Sequence, residues 1–177
     1  MVFQNRTKKI YGFTLVEMTV VMVIILLLLA VAVPNLGRPS SAMKLNTAAR
    51  NISTILNTAR SYAVTKRAVH KAVFDTTVTP NLIYITDNAD VQVSKGYVLS
   101  SDLSIITDDI TFPLDADNKY KASFKATGGL TDTTLAERRV WVRKTGEASY
   151  ITSPPNFKRI SVDSVTGRVT IDETPPS

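Results

Sequence analysis

Apolar residues are concentrated in one stretch near the start of the chain. Residues 13–36 hold 19 apolar side chains in 24 positions, and Glu17 is the only charged residue among them. As an α-helix rising ~1.5 Å per residue, this stretch would extend roughly 36 Å, more than the ~30 Å hydrocarbon core of a bilayer. The pattern predicts a membrane-spanning helix. It leaves Glu17 to be explained, since a charge at mid-bilayer costs about 2.5–3.5 kcal/mol.

A group of helix breakers separates this stretch from a second helical pattern. Pro34, Gly37 and Pro39 fall within six residues, which predicts a kink or local melting near residues 30–34 and a joint after it. Ser40 or Ser41 can cap the next helix. Its apolar residues recur at steps of three and four, which indicates an amphipathic helix of about six turns. These residues are Met43, Leu45, Ala48, Ala49, Ile52, Ile55, Leu56, Ala59, Tyr62 and Ala63.

Short runs of β-forming residues, divided by turn residues, fill the rest of the chain. The predicted strands are residues 69–74, 82–86, 91–93, 96–99, 110–114, 122–126, 140–143, 160–163 and 168–171. The last two flank Ser-Val-Thr-Gly, which suits a tight hairpin with glycine at positive φ. Helices followed by antiparallel strands predict an α+β fold.

Composition removes several classes of function. The chain has 177 residues and no cysteine, which excludes disulfides, thiolate chemistry and cysteine-ligated metal sites. Its 21 Lys and Arg exceed its 15 Asp and Glu by six, but three of the cations precede residue 13. Residues 13–177 therefore carry 18 cations and 15 anions, a charge of +3. This excess is too small to indicate a nucleic-acid binder by itself.

The residues at the start of the apolar stretch carry a specific signal. The first 12 residues include three basic and no acidic side chains, which predicts a cytoplasmic N-terminus and an extracytoplasmic C-terminal part. Gly12 and Phe13 then begin the sequence Gly-Phe-Thr-Leu-Val-Glu. This arrangement closely resembles the prepilin signal of type IV pilins and type II secretion pseudopilins. The resemblance implies that a prepilin peptidase cuts after Gly12 and methylates Phe13, and that the apolar helix is kept.

The same resemblance gives Glu17 and Pro34 a role in assembly. A cut after Gly12 makes glutamate the fifth residue and proline the twenty-second, as in the family. Cleavage also exposes an α-ammonium on Phe13, and this charge and the Glu17 carboxylate can each compensate the other in lipid. In pilin-like filaments the carboxylate is thought to pair with the amine of a neighbouring subunit. An intramolecular pair between Phe13 and Glu17, one turn apart, remains an alternative.

Weaker signals within the predicted head resemble the minor pseudopilins of the GspH/FimT type. They are the helix-to-strand sequence ARSYAVTKRAVHKAVFD, the sequence FKATGGL and the closing VTGRVTI. The resemblance implies four segments. Residues 1–12 are a leader that is removed, residues 13–36 a transmembrane and filament-core helix, residues 37–68 the amphipathic half of a helical spine, and residues 69–177 a β-rich head. The spine packs on an antiparallel β-sheet, as in pilins.

The function implied is that of a structural minor pilin or pseudopilin, not an enzyme, in a type II secretion pseudopilus or a type IV pilus. The implied partners are other pilin subunits, the prepilin peptidase and methyltransferase, and an inner-membrane assembly platform. The protein would cross the inner membrane once, with its head in the periplasm, and need no cofactor. Two alternatives remain: a competence-type minor pilin that binds DNA, and a secreted soluble β protein with an ordinary signal peptide cleaved near Val33.

Few residues suggest hidden chemistry. His70 is the only histidine, and we expect a strand residue facing solvent or the helix. Asp115, Asp117 and Asn118 resemble part of a calcium loop, but Lys119 and Tyr120 replace residues that the EF-hand pattern requires, so we expect a solvated turn and no metal. Two basic groups are the candidates for phosphate contacts or for a solvated face. The first is Arg60, Lys66, Arg67 and Lys71, and the second is Arg138, Arg139, Arg143 and Lys144.

Overall fold

The chain divides into two units, Met1–Pro39 and Ser40–Ser177. The computed structural model describes residues 13–36, 41–147, 149–152 and 155–175. The predicted leader, residues 1–12, and the predicted joint and cap at residues 37–40 lie outside the described residues. Among the described residues, no helix meets the combined length and hydropathy expected of a membrane-crossing segment.

Helix α1 (Leu15–Leu36) is the described element of the first unit. The Thr14 hydroxyl oxygen accepts a hydrogen bond from the Glu17 N–H at 3.2 Å, so Thr14 caps the first turn. The backbone remains helical through Pro34, and the predicted local melting over residues 30–34 is not observed. A proline this close to the C-terminal end removes one hydrogen bond and leaves the preceding turns intact.

The described residues of the second unit form helix α2 (Ser41–Lys66) and eight strands, which confirms the predicted α+β class. The strands are β1 (His70–Asp75), β2 (Leu82–Thr86), β3 (Tyr97–Val98), β4 (Leu103–Ile106), β5 (Tyr120–Phe124), β6 (Glu137–Lys144), β7 (Phe157–Asp163) and β8 (Val169–Asp172). One sheet has the order β3-β2-β1-β5 and the other the order β4-β6-β7-β8, and all pairs are antiparallel.

Most of the predicted strands are present where β-branched and aromatic residues cluster. The predictions were wrong at residues 91–93, 103–106 and 110–114. Strand β4 was not predicted, because its sequence LSII is short and lies between polar residues. Residues 110–114 form no strand. Pro113 lacks an N–H, and Phe112 is instead buried in a loop, while Leu114 makes one isolated bridge to Tyr120. Residues 91–93 contribute only the bridge between Thr86 and Gln92.

One face of α2 covers both sheets and forms the core of the head with them. Its buried residues match the predicted stripe in seven positions, whereas Met43 is exposed and Ile55 and Tyr62 are partly buried. The spacing of three and four residues places these side chains on one side of the helix, where they meet the inner faces of the strands. The seven are Leu45, Ala48, Ala49, Ile52, Leu56, Ala59 and Ala63.

Two glycine-containing turns meet beside α2 and are joined to it by Arg60. The Arg60 Nε donates a hydrogen bond to the Gly128 carbonyl oxygen at 3.1 Å. The β7–β8 hairpin turns at Gly167, whose φ is +67°, as its sequence predicts. A Cβ added to Gly167 would lie 1.9 Å from the Gly128 oxygen. The sequences FKATGGL and VTGRVTI are therefore in direct contact, and glycine is needed there for space as well as for φ.

Replacing Gly167 with alanine should destabilise the head strongly. The methyl group would clash with Gly128, and an alanine at positive φ is strained, for a combined cost of about 2–5 kcal/mol. Gly146→Ala is the matched control, because its φ is +85° but nothing lies within 4 Å of an added Cβ. It should cost only about 1–2 kcal/mol. Urea unfolding followed by the fluorescence of Trp141, the single tryptophan, would measure both values. Equal losses in the two variants would contradict the close contact.

Candidate functional site

The N-terminal end of α1 brings together two of the residues predicted for processing and assembly. Phe13 immediately precedes the capping residue Thr14 and is 72% exposed, and Glu17 lies exposed in the first turn of the helix. The positive end of the helix dipole favours a carboxylate at this position. Gly12 lies outside the described residues, and Pro34 lies in the last turn of α1. The processing and assembly roles of these four residues stay predictions.

The apolar surface of α1 is exposed over the first part of the helix. The large apolar side chains from Leu15 to Leu29 are exposed by 45–80%. Burying one such side chain contributes roughly 1.5–3 kcal/mol, so leaving all of them in water would be very unfavourable. A helix with this surface on every side requires an apolar environment or other helices around it.

His70 lies on β1 and faces α2, which is one of the two orientations predicted for it. Its side chain is buried, its Nδ1 lies 3.1 Å from the Ala68 carbonyl oxygen, and its ring meets the edge of Tyr62 with centroids 5.8 Å apart. These contacts fix it as part of the junction between helix and sheet. Among the described residues, no group of three or more histidine or acidic side chains is arranged to hold a metal ion.

The segment that resembles part of a calcium loop is a tight turn between residues 114 and 120. The Asp115 N–H donates to the Lys119 oxygen at 2.9 Å, and the Asn118 N–H donates to the Asp115 oxygen at 3.0 Å. The Asp115 carboxylate forms an ion pair with Lys121. Calcium takes roughly six to eight oxygen ligands, and Asp115 offers one carboxylate that is already shared with Lys121, so the turn does not have the ligands of a calcium loop.

Two members of the first basic group are engaged within the fold and two are exposed. The Arg60 Nε donates to the Gly128 oxygen, and Lys71 forms an ion pair with Asp90 at 3.0 Å and is only 16% exposed in its side chain. Lys66 lies over the Tyr62 ring with Nζ 5.4 Å from the centroid, and Arg67 has a φ of +50° just after α2 ends. Both of these residues are exposed.

The second basic group is divided by the alternation of side chains along β6. Arg138 is buried and forms an ion pair with Asp132, whereas Arg139 pairs with Glu137 at 3.0 Å. Arg143 lies over the Tyr150 ring, 4.9 Å from its centroid. Successive residues of a strand point to opposite faces, so adjacent arginines in the sequence do not share a surface.

Sequence reasoning missed the residues that neutralise these cations. Asp90 is the clearest case, since it accepts hydrogen bonds from both Lys71 and Lys121. Its φ of +61° is a conformation that aspartate adopts more readily than most residues, and the sequence Asp-Asn-Ala-Asp at 87–90 is a turn signal that could have located it. The cap was also detectable, because Thr14 and Glu17 have the spacing of a capping box.

An apolar helix with a glutamate in its first turn precedes an α+β head, and this fold is pilin-like. Residues 7–33 match the family model described as the prokaryotic N-terminal methylation motif. The fold is similar to that of the type IV minor pilin FimU of Pseudomonas aeruginosa strain PAO1, in two crystal forms.

The two FimU structures have TM-scores of 0.52 and 0.51, each with 17% sequence identity. Each alignment covers 72% of this chain, and they cover 87% and 92% of the FimU chains. At this identity the likeness establishes the fold. No curated protein matches the chain.

Calcium should leave the stability of the head unchanged, because no group of three or more acidic side chains among the described residues is arranged to hold it. We expect the same thermal unfolding midpoint in millimolar CaCl2 and in EDTA, followed by Trp141 fluorescence. A saturable rise in the midpoint with calcium, lost in Asp115→Asn, would contradict this expectation and indicate a metal site in the turn.

Proposed function

We propose that the chain is a structural minor subunit of a type II secretion pseudopilus or a type IV pilus. The exposed apolar surface of α1 carries this proposal, because it fits a helix surrounded first by lipid and then by other helices in a filament core. The match over residues 7–33 and the pilin-like head support the same conclusion. The function is architectural and not enzymatic: α1 packs with neighbouring helices, and the head presents a surface.

The proposal assigns a role to each segment of the chain. A prepilin peptidase removes residues 1–12 and methylates Phe13. Residues 13–36 anchor the protein in the inner membrane with its N-terminus in the cytoplasm, and later enter the filament core. Residues 37–68 continue the spine, and residues 69–177 form a head in the periplasm. An inner-membrane platform moves the subunit from membrane to filament. The GspH/FimT subtype is part of this proposal and rests on the resemblance of the sequences FKATGGL and VTGRVTI.

Within this assembly, Glu17 neutralises the α-ammonium of Phe13. Both groups lie at the same end of an apolar helix, where an unpaired charge costs several kcal/mol and a matched pair costs much less. Pairing between subunits would set the axial register of the filament. Pairing within one chain would aid only insertion.

Glu17→Ala should be processed normally and assemble poorly. The variant keeps the cleavage sequence but leaves the ammonium of Phe13 without a partner, so incorporation into filaments should fall at least about tenfold. Thr19→Ala is the control, since the Thr19 hydroxyl donates to the Val16 carbonyl oxygen of its own helix at 2.8 Å. Mass spectrometry gives the mature N-terminus, and immunoblotting of sheared filaments gives incorporation.

Normal incorporation of Glu17→Ala would contradict the pairing. A mature wild-type chain that begins near Val33 would instead support the secreted β protein, and a start at a methylated Phe13 supports the pilin assignment.

Capture of DNA is the alternative function, and the described cations give it little support because Lys71, Arg138 and Arg139 are held in ion pairs. We expect no gel shift of duplex DNA at physiological salt. Weak binding at low salt should disappear steeply as salt rises. A shift that persists at physiological salt and is lost on replacing Arg67 and Lys144 would favour the competence-type subunit.

A further inference from the structure

An open cleft of about 340 Å³ lies along the outer edge of β5, where the Lys121 N–H donates to the Pro113 oxygen and the Thr131 N–H to the Ser123 oxygen. Its floor is apolar and consists of the buried side chains Phe112, Ala122 and Leu130. The loop that carries Pro113 forms one wall, and residues 130–132 form the other. A cleft with an apolar floor and polar walls is the usual form of a binding site.

The charges of the cleft are layered, with cations beneath and anions above. Lys71 and Lys121 are exposed by 16% and 12% in their side chains, whereas their partners Asp90 and Asp115 are exposed by 48% and 42%. At the far wall, Arg138 is exposed by 8% and its partner Asp132 by 34%. The surface that meets a ligand is therefore lined by carboxylates, although the six charges sum to zero.

The lysines of the cleft have more of their hydrogen-bonding capacity in use than the aspartates have. Lys71 already donates to Asp90 and to the Asn88 oxygen, and Lys121 donates to Asp90 and Asp115. A carboxylate can accept about four hydrogen bonds, so both aspartates retain free lone pairs. The cleft can accept hydrogen bonds from a ligand more readily than it can donate them.

Both aspartates are charged at neutral pH. Hydrogen bonds from Lys121 and then from Lys71 hold the pKa of Asp90 below its usual value, and the hydrogen bond from Lys121 does the same for the pKa of Asp115. A neutral pair of acids would have no preference for a cation, so this protonation state matters for what the cleft can recognise.

We propose that the cleft binds a lysine or arginine side chain presented by a neighbouring subunit. The aliphatic stem lies on Phe112 and Leu130, and the cationic group donates to Asp90 and Asp115. That a neighbouring subunit supplies this side chain rests on the proposed filament function. A second copy of this chain can supply the cation, since residues 13–177 carry 18 cations against 15 anions.

Titration of the isotopically labelled full-length chain in detergent would test the preference for a cation. The probes are three capped amino acids: N-acetyl-lysine-N-methylamide, the norleucine analogue with the same stem but no charge, and the glutamate analogue. The lysine probe should shift the amide resonances of Ser123 and Leu130 saturably, and the norleucine probe should bind at least about fivefold more weakly. Equal binding of lysine and norleucine, stronger binding of glutamate, or no saturable shift would each overturn the proposal.

A pair of matched variants locates the interaction. Asp115→Asn should weaken the lysine probe about fivefold, whereas Asp117→Asn, an exposed residue of the same turn that does not line the cleft, should leave it unchanged. Equal effects of the two would show a general charge effect and overturn the site. If Asp115→Asn does not fold, as judged by Trp141 fluorescence, the comparison of the three probes on the wild-type chain still tests whether the cleft prefers a cation.

The titration uses unassembled protein, so its failure leaves the filament role intact. A mature N-terminus other than Phe13 would remove that role without affecting the cleft.

Discussion

The cost of placing a charge in an apolar environment is the constraint on which the N-terminal helix depends. Helix α1 is apolar on all sides and carries one carboxylate, Glu17, in its first turn. The helix dipole favours an anion there, and the cap from Thr14 fixes where the helix begins. These local features reduce the cost but do not remove it. Under the proposed processing, the α-ammonium of Phe13 would place a compensating cation at the same end of the helix.

The head follows a different principle, because its charges are compensated within the fold. Asp90 pairs with two lysines, and Arg138 pairs with Asp132 at the margin between the two sheets. The cations lie inside and the anions outside, so a modest positive net charge does not produce a basic surface at these positions. We therefore expect the head to act through specific contacts and not through a general electrostatic attraction to polyanions.

Sequence reasoning located the elements whose signals are local. The stripe of α2 follows from its period, and the β7–β8 hairpin follows from the glycine at residue 167. Strand β4 was not predicted, because a run of four residues is too short to show a periodic pattern. Residues 110–114 were wrongly predicted as a strand, because Phe112 is buried without belonging to one. The division into two sheets and the partners of Lys71 and Arg138 depend on contacts between distant residues. No pattern within a short window contains that information.

The way α2 lies across both sheets also determines how the head would respond to mechanical load. Seven buried side chains of this helix, from Leu45 to Ala63, contact the core along its length, and Arg60 joins it to the turn at Gly128. A force along the helix axis must shear these contacts together, whereas a force across the axis could peel them one at a time. A pull applied at Ser41 along the axis of α2 would thus be resisted by all seven contacts at once.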